Sequence, residues 1–214
     1  MPPGIQLNEV EARLLGVLIE KALTTPEQYP LSINSAVLGC NQKSNRHPVV
    51  EWSEAEVHVG IQGLVMKHLA GRSMQSGSRV DRYRHSAGEA LGLDDAHLAV
   101  IAELLMRGPQ QPGELRTRVE RMAPTATLEV LQTRLAHLIE QGFVARLAPS
   151  PGSRAERYVQ RLAPDLHALD TPQIEAPAPR ERSASGLDGR VTALEAQVAE
   201  LRAKLAELSK QLGV

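Results

Sequence analysis

The sequence predicts an α+β chain, mostly helical, in which one small domain is used twice ahead of a linker and a terminal helix. Three observations carry that prediction. Gly77-Ser78-Arg79-Val80-Asp81-Arg82-Tyr83 returns 75 residues later as Gly152-Ser153-Arg154-Ala155-Glu156-Arg157-Tyr158, with only Val/Ala and Asp/Glu exchanged. At an offset of 74, the helically spaced Val57, Ile61, Leu64 and Val65 fall on Leu131, Leu135, Leu138 and Ile139. A fixed internal period over a helix, a short apolar strand, a Gly-Ser turn and a second strand is the mark of a duplicated unit. Third, each ribbon follows helical segments, and three helices ending in a two-stranded ribbon are the winged variant of the helix-turn-helix. The expected layout is two tandem winged-helix domains over 1–86 and 87–163, a flexible linker over 164–189 and a coiled-coil helix over 190–213.

In the first domain, Asn8 and Glu11 have capping-box spacing, and Val10, Leu14, Val17, Leu18 and Lys21 place one face of a helix running to about Leu23. Pro26 and Pro30 stop it, because proline withholds a backbone donor. Ser32 caps a short helix over 33–40. A polar loop, Asn41 to Pro48, follows. Ser53 and Glu56 form a second capping box, opening a helix to about His68. Leu69 to Ser73 and Val80 to His85 are the ribbon strands.

In the second domain, Asp94 or Asp95 caps a helix carrying Leu98, Ile101, Leu104 and Leu105, which ends at Gly108-Pro109. A short helix spans 114–121. Thr127 opens the third helix, and Gly142 stops it. Phe143 to Leu147 and Glu156 to Leu162 complete the ribbon. Pro172, Pro177 and Pro179 mark the linker. Beyond it Val191, Leu194, Val198, Leu201, Leu205, Leu208 and Leu212 alternate steps of three and four. Branched Val at early a positions with Leu at d favours two parallel strands, so a homodimer is expected.

One loop carries a family resemblance. Thr25-Pro26-Glu27-Gln28-Tyr29-Pro30-Leu31 and Cys40-Asn41-Gln42-Lys43-Ser44-Asn45-Arg46-His47-Pro48-Val49 resemble the bacterial YceH family over roughly residues 7 to 162. The usual pattern there has Asp where this chain has His47. The resemblance implies the tandem winged-helix fold and no settled activity.

Composition narrows the functional classes. Net charge is −1, so nothing pulls the whole chain toward nucleic acid or acidic lipid. The single cysteine, Cys40, rules out an internal disulfide and a Cys-rich zinc site. No apolar run reaches the ~18 residues of a membrane span and the N-terminus lacks a signal pattern, so a cytoplasmic protein without membrane contact is expected. No phosphate loop, nucleophile elbow or metal-spaced His/Cys set is present, so the expectation is a non-enzyme without cofactor or metal. The histidines are scattered and read as surface or structural residues. Cys40, near Lys43 and Arg46, can have a lowered pKa, but reads better as a small residue at a helix end.

Two functions from different classes remain. The first is a DNA-binding regulator whose paired wings contact phosphate. Its candidate contacts are Arg72, Arg79, Arg82, Arg84, Arg154 and Arg157 on the ribbons and Arg134 on the second domain's third helix. The competing reading of the ribbons is internal bracing by Arg–carboxylate pairs. The second function is a protein-interaction module. The first domain's third helix begins with Glu51, Glu54 and Glu56, which repel phosphate, and its outward face carries Ala55, Val59, Gln62 and Met66. The interface candidates are Ala55, Val59, Met66 and the tail seam of Val191, Leu194, Val198, Leu201, Leu205 and Leu208.

Overall fold

A computed structural model describes residues 4–73, 80–149 and 155–167 in full and the backbone of 173–174. The described part is α+β, about half helical, with two small antiparallel sheets. The linker beyond 174 and the heptad run, Val191 to Leu212, lie outside the described residues.

The first half runs α1 (Glu9–Thr24), β1 (Leu31–Ser32), α2 (Ile33–Cys40), α3 (Glu54–Met66), β2 (Ala70–Ser73) and β3 (Arg82–His85). Both capping boxes form: Asn8 Oδ1 accepts from the Glu11 N–H at 2.9 Å, and the Glu11 carboxylate accepts from the Asn8 N–H at 2.9 Å. Ser53 and Glu56 do the same for α3. These pairs satisfy N–H groups that a helix start leaves without partners.

The second half runs α4 (Ala87–Leu91), α5 (Asp95–Arg107), α6 (Pro112–Val119), α7 (Leu128–Glu140), β4 (Val144–Leu147), β5 (Arg157–Gln160) and β6 (Gln173–Ile174). Asp94 caps α5 through the His97 N–H. Gly108 and Gly142 follow α5 and α7 with φ of +79° and +81°, values that only glycine adopts freely.

The duplication is visible in the ribbons. Arg72 lies opposite Tyr83 and Arg146 opposite Tyr158, so both tyrosines occupy the same register. Each is buried, and each ribbon carries one cross-strand ion pair, Arg72–Asp81 and Arg146–Glu156. Those four residues match under the internal offset. The third strand differs. In the first sheet β1 pairs with β3, giving the order β1-β3-β2. In the second, the equivalent place beside Tyr158 is a single bridge from Gln110, and β6 adds instead to β4. The short strands β1 and β6 and the one-turn α4 had no periodic signal to announce them.

The two halves share one continuous hydrophobic core. Its axis is α1 against α5. Every residue from Glu11 to Glu20 and from Leu98 to Met106 is buried. The sequence pattern marks one apolar face on α1, yet both faces are covered, α5 taking the second. Gly16 permits this approach: a Cβ there would stand 2.8 Å from Met106 Cγ and 3.2 Å from the Ala102 carbonyl. Gly60 does the same for α3 on α1, since a Cβ would meet Val10 at 2.6 Å. Helical glycine costs about 1 kcal/mol; the close contact it allows offsets that. Burying a Leu or Ile side chain contributes about 1.5–3 kcal/mol, so the shared aliphatic seam stabilises each half against the other.

Two pieces of 164–189, read as a flexible linker, are attached to the fold. β6 pairs with β4, and His167 is buried with its Nε2 3.1 Å from the His47 carbonyl oxygen.

Candidate functional site

Three surfaces hold the chemistry-bearing side chains. The ribbons come first. Arg72 is exposed and paired with Asp81. Arg82 is half-buried and donates from Nη1 to the Pro30 carbonyl at 3.0 Å. Arg84 is exposed on the face opposite the buried Tyr83. Arg157 is half-buried. Arg79 and Arg154, at the two turns, lie outside the described residues. Arg134 is engaged within its own half: its guanidinium donates to Thr125 Oγ1 and to the Pro124 carbonyl, each at 2.7 Å. It clamps the loop between α6 and α7.

The second surface is the outward face of α3. Helical spacing turns Val57, Ile61 and Leu64 inward, where all three are buried. Ala55, Val59 and Met66 consequently face solvent; Val59 is 72% exposed and Met66 81%. Ala55 and Val59 border an apolar hollow of about 290 Å³, with Val10 and Gly60 on its floor. Glu51, Glu54 and Glu56 rim the helix start, all exposed. Hydrogen bonds from Ser53 hold the Glu56 carboxyl below its usual range, so it stays ionised. The internal offset gives a direct comparison with α7. Ala55, Val59 and Met66 correspond to Glu129, Thr133 and Glu140, exposed and polar. At these three positions only one copy is apolar, although α7 leaves Leu128 and Val130 partly open at its start, each 39% exposed.

The third surface was not legible as a site. Where the halves meet, Arg46 is buried and donates to Glu20 Oε2 at 2.5 Å and to the Gly39 and Asn45 carbonyls. Arg121 reaches the other Glu20 oxygen at 2.5 Å and approaches Glu103 at 3.8 Å. Arg107 pairs with Glu103 at 3.1 Å and donates to Asn45 Oδ1 at 2.5 Å. Arg118 pairs with Glu114 at 2.5 Å and donates to Gln110 Oε1 at 2.8 Å. The two buried carboxylates behave oppositely. Burial works to raise Glu20, but Arg46 and Arg121 outweigh it and hold the carboxyl below its ordinary value. For Glu103 burial outweighs Arg107 and Arg121, and the carboxyl is raised. The sequence signal is one acid, Glu103, inside the apolar run Leu98 to Met106, with Arg107 one turn on and Arg121 just past α6 to meet it.

The loop Asn41 to Pro48 acquires a structural role from this network. Asn41 clasps Trp52 both ways, donating to its carbonyl at 2.8 Å and accepting from its N–H at 3.0 Å. Asn45 takes a φ of +62°, which Asn tolerates better than most residues. The His47 N–H donates to the Met106 carbonyl at 2.8 Å, and its ring stacks on His167 at 6.4 Å. A second histidine pair, His97 and His137, joins α5 to α7 with ring centroids 4.7 Å apart. The scattered histidines are therefore partly gathered by the fold. Among the described residues no group of three or more His, Cys, Asp or Glu is placed to hold a metal ion. Cys40 is fully buried, and burial pushes its thiol up to about 12 despite Arg13 and Arg46. That removes the option of a lowered value and supports the favoured small-residue reading.

A family model described as "Protein of unknown function, DUF480" matches residues 7–153. The chain belongs to the DUF480 family. The matched stretch takes in the first ribbon, strand β4 of the second and the loop that builds the seam. A UPF0502 protein of Geobacter sulfurreducens is 52% identical over 168 residues, covering 77% of this chain and 76% of its own. One from Geotalea uraniireducens is 46% identical over 200 residues, covering 89% and 90%. Another, from Shewanella halifaxensis, is 43% identical over 203 residues, covering 89% and 92%. Among the described residues no helix is long and apolar enough to cross a membrane.

Proposed function

We propose that this DUF480 protein is a non-enzymatic, cytoplasmic tandem winged-helix module of the YceH type that binds a protein partner through the outward face of α3. The observation that carries this reading is the open strip of Ala55, Val59 and Met66 in one copy, set against Glu129, Thr133 and Glu140 in the other. Contiguous exposed apolar surface rimmed by charge marks interaction sites. The rim is acidic, so the fitting partner is a protein segment that presents apolar side chains flanked by Lys or Arg. A DNA groove is a poor match, because Glu51, Glu54 and Glu56 would face phosphate.

The test places a photo-crosslinking residue at position 59 or at 133 in cells. A specific adduct from 59 and none from 133 is expected. With the purified partner, Val59→Asp should weaken binding about tenfold, the equivalent of ~1.4 kcal/mol, while Thr133→Asp leaves it unchanged. Equal crosslinking from both positions removes the reading.

A second reading, a DNA-binding regulator, is favoured by exposed Arg84 on a basic ribbon. Each phosphate contact contributes about 0.9 to the slope of log K against log salt. Arg84→Ala should flatten that slope on unrelated duplexes if the ribbon binds DNA. In either case the 190–213 heptads are proposed to form a parallel dimeric coiled coil. Sedimentation across a dilution series, with and without the residues after Pro179, decides that.

A further inference from the structure

The seam network opens to solvent as a polar cleft of about 310 Å³. Asn45 and Arg46 of the first half form one wall; Arg107, Gln110, Glu114 and Arg118 of the second form the other. The charges around it do not balance. Arg46, Arg107, Arg118 and Arg121 face Glu20, Glu103 and Glu114, which leaves one guanidinium in excess. Burial is the chief influence that lowers Arg107, Glu103 opposes it, and Arg118, Arg121 and Arg46 add to it.

Position matters as much as charge. Arg46 is spent: buried, bonded to Glu20 and to two carbonyls. Arg107 and Arg118 differ. Each is oriented by a neutral amide, Asn45 for Arg107 and Gln110 for Arg118, beside its carboxylate partner, buried Glu103 for Arg107 and Glu114 for Arg118. Arg118 is 31% exposed, and its carboxylate partner Glu114 is 45% exposed at the cleft mouth. A guanidinium presents a planar fork of donors that matches the oxygens of phosphate. The volume lies at the low end of small-molecule sites.

We propose that this cleft binds a small phosphate-bearing ligand between Arg107 and Arg118. The ligand displaces Glu114 from Arg118 and takes its place as that guanidinium's anionic partner. Because its walls come from both halves, an occupant ties them together and raises the melting temperature of the chain. This site is separate from the α3 face, and its failure leaves the partner reading untouched.

The experiment uses the full-length chain in chloride buffer, titrated with inorganic phosphate and pyrophosphate by calorimetry and by thermal melting. Sodium chloride at matched ionic strength is the blank, and citrate is the carboxylate control. Saturable binding of phosphate or pyrophosphate is expected, with a rise in melting temperature beyond that in chloride. Arg118→Gln should raise Kd about tenfold or more, as the loss of a charged hydrogen bond implies. Glu114→Gln should lower Kd about threefold, because a competing surface carboxylate is gone. A purely structural network predicts the opposite for Glu114→Gln, a loss of melting temperature and no gain in affinity. A response equal to chloride, binding of citrate alone, or unchanged affinity in Arg118→Gln overturns the proposal. Should Arg118→Gln not fold, Glu114→Gln decides alone, and unchanged or weaker affinity there overturns it.

Discussion

The two copies of the repeat agree inside the ribbons and disagree on their outer helices. Arg72–Asp81 and Arg146–Glu156 are the same pair in the same register, and Tyr83 and Tyr158 are buried at the same place. Val57, Ile61 and Leu64 of α3 and Leu131, Leu135 and Leu138 of α7 fill the same inner positions. The outward positions have no such agreement: Ala55, Val59 and Met66 against Glu129, Thr133 and Glu140. Arg134, on α7, is turned to its own loop, and the matching position of α3 is Gly60. The shared features are those the fold needs twice. The features present once are where a partner of one half would read the difference.

The comparison breaks most severely at the seam, which belongs to neither copy. Arg46→Met leaves buried Glu20 with Arg121 alone and strips the Gly39 carbonyl of its donor. Removing one partner of a buried pair costs about 3–5 kcal/mol. Urea denaturation should show that loss in a single transition, both halves unfolding together. Two separate transitions in the unmodified protein would mean that the halves are independent and the seam is incidental.

Acid sharpens the contrast between the two seam carboxylates. Glu20 is held below the ordinary value of 4.5, so unfolding takes up a proton and the stability it contributes is lost as pH falls below about 4.5. Glu103 is raised above 4.5, so the folded state binds the proton first and gains stability as pH falls toward 4.5 from above. Glu103→Gln should therefore flatten the stability profile above pH ~4.5 and leave the acid loss in place. Glu20→Gln should do the reverse. Measured melts at stepped pH check both, and matching profiles for the two variants would contradict the assignment.

How much of this was readable beforehand follows physical lines. Helix starts were legible because Asn8, Ser32, Ser53, Asp94 and Thr127 cap through local bonds three residues long. The ribbons were legible because they are written twice. The open face of α3 followed from periodicity alone, since Val57 fixes where Val59 points. The seam was not legible. Glu20 meets Arg121 across 101 residues, and no local pattern announces a contact of that span. β1 and β6 are two residues each, too short for an alternation to show. Gln110 takes the place of a strand with one bridge, which only the tertiary structure reveals.

Next in size is the outer-helix contrast itself. Val59→Asp and Thr133→Asp each change an exposed helical position, so both should keep stability within about 0.5 kcal/mol. Only the first should alter partner binding. Equal effects of the two on binding would mean that the apolar strip is not what distinguishes the copies.

The smallest effects belong to the ribbon pairs, and they test whether the duplication kept them for the same reason. Arg72–Asp81 is largely solvated, with side chains 58% and 44% exposed; Arg146–Glu156 is better covered, at 28% and 39%. Exposed pairs are screened by water and salt and are worth about 0.2–1 kcal/mol. Double-mutant cycles to Ala should therefore give a coupling near the bottom of that range for Arg72–Asp81 and a larger one for Arg146–Glu156. The difference should shrink at high salt, because the more exposed pair has less left to lose. A ribbon braced by these pairs also keeps them when DNA is added. If the couplings are zero at both sites, the arginines are not braces, and their recurrence at matching positions then argues for the phosphate contacts of the second reading.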